Sequence, residues 1–194
     1  MPLTRKQRLD DGSWLAVWKM DEPLDSLPRP RQVDLSQYKT QRLREKLTEY
    51  VLLSELANQD GLVIGHDEDG APLVEGFNVS ISHTKGWAAM ILSKWHRSGV
   101  DIEYVSDRVN KIVSRFMRDD EPQDTLNERI ITWCAKEAAY KYYHEQHLGF
   151  LEMRLLPFTQ QETGTANLVN LRQGETKTVN YEVNKDFVLV YITE

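Results

Sequence analysis

Gly99-Val100-Asp101-Ile102-Glu103 reads as an apolar strand interrupted by two carboxylates, and Trp133-Cys134-Ala135-Lys136-Glu137-Ala138-Ala139-Tyr140-Lys141 reads as a helix that carries another. Side chains on a strand repeat every second residue, so Asp101 and Glu103 project from one face. On the helix, Glu137 and Lys141 stand one turn apart on one face, with Trp133 a turn earlier and Lys136 beside them. A strand with two carboxylates on one face is half of a hard-metal site. A further carboxylate and a cation could converge with it on a metal-bound phosphate. Each motif alone has an ordinary explanation, a solvated edge strand in one case and an amphipathic helix with an i, i+4 ion pair in the other. Their combination, in order and after the block Ser80-Ile81-Ser82-His83-Thr84, points to phosphoryl-type transfer.

Working outward, the pattern before residue 99 predicts a strand over 13–19, a loop punctuated by Pro23, Pro28 and Pro30, and a long helix over 35–58 with Leu43, Leu47, Tyr50, Val51 and Ser54 at helical spacing. Residues 62–64 are a short apolar run and 66–70 a polar turn. Segments 77–82 and 87–92, joined at Lys85-Gly86, predict a hairpin. After residues 94–98 the architecture begins again. A strand over 99–104 is followed by helices over 107–117 and 125–144, then strands near 150–155, 167–171, 178–183 and 187–193, the last two turning at Asn184-Lys185-Asp186. Helices and strands interspersed without strict alternation predict an α+β fold with antiparallel sheets. The repetition predicts two similar, intimately packed lobes, residues 1–96 and 97–194, with the metal-type motifs in the second.

Size and charge bound the function. A chain of 194 residues can bury a real core, and its net charge of −6 argues against non-specific nucleic-acid binding. An anionic substrate must therefore meet local cations or a metal. The single cysteine, Cys134, excludes an internal disulfide and fits the cytoplasm. The start lacks a signal-type apolar stretch, and no run is long enough to span a bilayer.

The ordered blocks 77–84, 99–103, Arg115-Phe116 with Glu121, and 133–141 resemble the 4'-phosphopantetheinyl transferase superfamily in its larger, pseudo-twofold, single-chain form. The resemblance implies a monomeric cytoplasmic enzyme with two α+β lobes and an active site in the cleft between them. It implies transfer of the phosphopantetheine arm of coenzyme A to a serine of an apo acyl or peptidyl carrier protein, with release of adenosine 3',5'-bisphosphate and a requirement for Mg2+. Asp101, Glu103 and Glu137 would hold the metal, and Lys141 would stabilise or protonate the leaving phosphate. Glu121 or Glu137 would take the serine proton. Ser82 and His83 match a Ser-His pair that contacts coenzyme A phosphates, and Lys136 is grouped with them. Lys39, Arg42, Arg44 and Lys46 are candidates for the 3'-phosphate. His66, His96, His144 and His147 are read as locally satisfied. Arg108, Lys111, Arg115 and Arg118, spaced as on a helix, are either a solvated face or a docking surface for an acidic carrier helix. Ala71-Pro72 departs from the family pattern, in which a basic residue often precedes the proline. The runner-up is a member that binds coenzyme A or a carrier without turnover, and a metal-dependent phosphohydrolase comes third.

Overall fold

The computed structural model describes residues 2–122 and 124–194 and divides the chain into two units, one running to Arg97 and taking in Glu194, the other Ser98–Thr193. The architecture is α+β with antiparallel sheets.

In the first unit, β1 (Leu3–Arg8), β2 (Trp14–Lys19), β5 (Asn78–Thr84) and β6 (Trp87–Ser93) form one sheet in the order β1-β2-β6-β5. Helix α1 (Thr40–Ala57) lies across β6 and β2, and its Leu47, Leu52 and Leu53 meet Ala16, Ala88 and Met90 in the core. The helix begins five residues later than its sequence pattern predicts. Asp34 Oδ1 accepts from the Ser36 amide at 2.8 Å, and Tyr38 N bonds to Leu35 O, so local polar bonds turn the chain before Thr40. Its far end is closed by Asn58 in the left-handed region, φ 49°, a conformation asparagine tolerates. The run 62–64 forms no strand. Instead β3 (Gly65–His66) pairs with β4 (Pro72–Leu73) around a turn in which Asp67 Oδ1 accepts from the amides of Asp69 and Ala71 at 3.0 and 2.8 Å. Strand β1 has no counterpart in the sequence reading, because its alternation is carried by charged and polar residues at a sheet edge.

In the second unit the sheet order is β7-β11-β10-β9-β8, built from β7 (Ser98–Tyr104), β8 (Met153–Leu155), β9 (Thr163–Asn170), β10 (Glu175–Val183) and β11 (Phe187–Thr193). Helix α3 (Leu126–Tyr142) lies on β7 and β11. A capping box fixes its start: Thr125 Oγ1 accepts from Glu128 N at 3.1 Å, and the Glu128 carboxylate accepts from Thr125 N at 2.8 Å. Ile131, Cys134, Ala135 and Ala138 of the helix are fully buried with Val188, Val190 and Ile192 of β11. The predicted helix over 107–117 is a 3-10 turn, Asp107–Lys111, and a single α-turn, α2 (Val113–Phe116), separated by Ile112 at φ −121° and ψ 4°. Val109, Ile112 and Val113 are β-branched, so little intrinsic propensity holds this segment in a continuous helix. Its basic residues consequently share no regular helical face.

Candidate active site

Strand β7 and helix α3 approach closely because of Gly99. A Cβ there would lie 1.9 Å from the carbonyl oxygen of Ala138, so only a residue without a side chain lets the two backbones meet. In the ladder with β11, Gly99 faces Ile192, Asp101 faces Val190 and Glu103 faces Val188, so both carboxylates lie on the side of the sheet that α3 covers. Lys141 Nζ donates to Asp101 Oδ1 at 2.9 Å and to Val100 O at 2.8 Å. The indole Nε1 of Trp133 donates to Glu103 Oε1 at 3.4 Å, while its ring packs against Phe116 and Phe150 at centroid distances of 5.1 and 5.2 Å.

Electrostatics ties Glu137 to the same place. Burial, then the charge of Asp101 and that of Glu103, lift its carboxyl to about 7, and Lys141 acts against them. Burial raises the Cys134 thiol well above its ordinary value, and the charges of Asp101 and Glu103 add to the effect. The structure thus brings Asp101, Glu103, Glu137 and Lys141 together, as their spacing predicts. Among the described residues, no group of three His, Cys, Asp or Glu side chains encloses a metal position. The donors nonetheless suit a hard divalent cation held in an open shell. They are carboxylate oxygens alone, they repel one another, and Mg2+ takes few protein ligands beside waters and substrate phosphates.

Glu121 and Lys136 meet each other in the interior. Both side chains are 0% exposed and close on each other, Nζ to Oε2 at 2.7 Å. Lys136 also donates to Phe116 O at 2.5 Å, and Glu121 accepts from the amides of Arg118 and Leu155, both at 2.7 Å. Burial pulls the Lys136 ammonium below its ordinary pKa, only partly offset by Glu121. So enclosed, the pair staples the segment after α2 and strand β8 to α3 and presents neither charge to a substrate.

In the first unit, Arg42 and His83, 41 residues apart, meet at 2.9 Å (Arg42 NH1 to His83 Nε2). Glu45 Oε2 is 3.0 Å from the same guanidinium and 3.8 Å from the imidazole, and Glu49 Oε1 is 3.7 Å from it. Glu49 is held in turn by buried Lys46 at 2.8 Å. The sequence reading missed both carboxylates, although their helical spacing from Arg42 and Lys46 was visible. Ser82 is buried and, by strand alternation, points to the opposite face of β5 from His83, so the two do not act as a side-by-side pair. Lys39 is exposed at the start of α1, and Arg44 donates to Glu22 O. A cleft of about 710 Å³ between residues 28–32 and the later turns of α1 touches none of these groups.

Of the basic residues after β7, Arg108 donates to Tyr104 Oη at 3.0 Å and Arg118 to Leu151 O at 2.9 Å, whereas Lys111 and Arg115 are exposed. Among the described residues, no helix is long and apolar enough to cross a membrane. Comparison with known proteins finds that residues 97–192 match the family model described as the 4'-phosphopantetheinyl transferase superfamily, which takes in the second unit up to Ile192 and every residue of the acid cluster. No curated protein matches the chain.

Proposed function

We propose, from the premise that residues 97–192 belong to the 4'-phosphopantetheinyl transferase superfamily, that the chain transfers the phosphopantetheine arm of coenzyme A to a serine of an apo acyl or peptidyl carrier protein. The observation that supports this most directly is the convergence of Asp101, Glu103, Glu137 and Lys141 on one side of the β7–α3 contact. In the reaction the serine oxygen forms a bond to the β-phosphorus of coenzyme A, the bridging P–O bond breaks, and adenosine 3',5'-bisphosphate leaves. Such a transfer needs positioning and charge neutralisation more than a protein nucleophile, since the hydroxyl arrives on the carrier.

Asp101, Glu103 and Glu137 would hold Mg2+, which when bound supplies positive charge to the pyrophosphate. Lys141 meets the leaving phosphate as a cation and proton donor. With Glu121 committed to Lys136, Glu137 is the candidate to take the serine proton, directly or through water. Arg42 and His83 form the candidate phosphate contact of the first unit. Exposed Lys111 and Arg115 would meet an acidic carrier surface. The lone Cys134 supports a reducing, cytoplasmic setting.

Intact-mass spectrometry of apo carriers incubated with the protein, coenzyme A and Mg2+ tests the proposal. We expect a carrier to gain one phosphopantetheine arm, EDTA to stop it, and Glu137→Ala to slow it by about 100-fold or more. Binding of coenzyme A with no gain of mass on any carrier would instead identify a non-catalytic binder. Hydrolysis of coenzyme A without a carrier would identify a phosphohydrolase.

A further inference from the structure

Lys141 is committed in this structure. Its ammonium donates to Asp101 Oδ1 at 2.9 Å and to the backbone oxygen of Val100 at 2.8 Å, in a site where its own side chain is 27% exposed and that of Asp101 8%. Asp101 and Glu103 each push Glu137 toward the neutral form, and the charge of Lys141 opposes them. The ammonium therefore does the neutralising that a divalent cation on the same carboxylates would do. Two of the ammonium's three N–H donors are thereby taken by the strand, which leaves one for a leaving phosphate. A second positive charge arriving at Asp101 also repels the first at short range.

We propose that Lys141 is the resident counter-ion of Asp101, displaced when a divalent cation binds, so that arrival of the metal is what releases the lysine for phosphate. This rests on the transferase reading and adds an order of events to it: metal and lysine compete for Asp101 before they cooperate on the substrate. Its distinguishing consequence is that removing a catalytic lysine strengthens metal binding. A lysine whose ammonium lies clear of Asp101 predicts little change.

The test is calorimetric titration of Mn2+ into the full chain without coenzyme A or carrier. Wild type is compared with Lys141→Met, with Lys141→Gln as a second neutral variant should the first fold poorly, and with Lys141→Arg, which keeps the charge. We expect both neutral variants to bind Mn2+ about five- to tenfold more tightly than wild type, a typical coupling between two exclusive ligands, and Lys141→Arg to stay near wild type. Wild type that binds no Mn2+ while the neutral variants do would support the exchange in its strongest form. Equal or weaker binding by the neutral variants, with wild type binding, overturns the exchange and leaves the transferase reading standing. No binding by any of the proteins overturns the exchange, since the metal then does not reach Asp101 ahead of the substrate, and leaves the transferase reading standing.

Discussion

Gly99 owes its place to space, not to dihedral freedom. Its missing Cβ would also lie 2.8 Å from the Ala138 carbonyl carbon and 3.1 Å from Tyr142 N, all rigid backbone. Gly99→Ala should cost about 1–3 kcal/mol or more, read as a lower denaturant midpoint. It should also slow transfer, because the strand bearing Asp101 is pushed off the helix bearing Glu137 and Lys141. Glu137 gives a pH signature. Its carboxyl rises from an ordinary 4.5 to about 7, burial being the first cause, so between those values the folded protein keeps a proton that the unfolded chain has released. Stability of the metal-free protein therefore falls as pH rises through that window, and Glu137→Gln removes this contribution to the slope. Urea titrations at pH 5 and pH 8 measure both. These residues were legible in the sequence because periods of two and 3.6 put their side chains on definite faces. Glu121 and Lys136 were not, since what a buried charge meets depends on where the loop before α3 runs.

The buried ion pair belongs to the scale of elements, joining α2, α3 and β8. Lys136→Met would leave Glu121 charged and enclosed without its cation, a loss of about 3–5 kcal/mol. Adding Glu121→Gln should recover part of that loss, because the amide oxygen can still accept from the Leu155 amide. A double-mutant cycle by chemical denaturation checks the sign of the coupling. Elements with strong local signals were read from sequence within a few residues. They include α3, the β5–β6 hairpin, and the β10–β11 hairpin at Asn184. The segment 107–117 misled because an amphipathic pattern was written in β-branched residues, where spacing and propensity disagree.

For the molecule as a whole, the net charge of −6 opposes approach of an acidic carrier, so attraction has to come from a local patch such as Lys111 and Arg115. We expect KM for the carrier to rise with ionic strength, and Arg115→Glu to raise it several-fold at low salt with kcat little changed, measured by steady-state transfer assays. The α+β class was legible from the mixture of element types. Strand order was not, because it is set by pairings between distant segments. The clearest case is β11, which lies between β7 and β10 and sets the register of Asp101 against Val190. On the ribosome, Asp101 and Glu103 emerge long before the strand that seats them, and α3 appears before the sheet it covers can close. Every carboxylate of the cluster is thus synthesised before the cluster can exist. A nascent chain halted short of Phe187 would carry all of the motifs and none of the site.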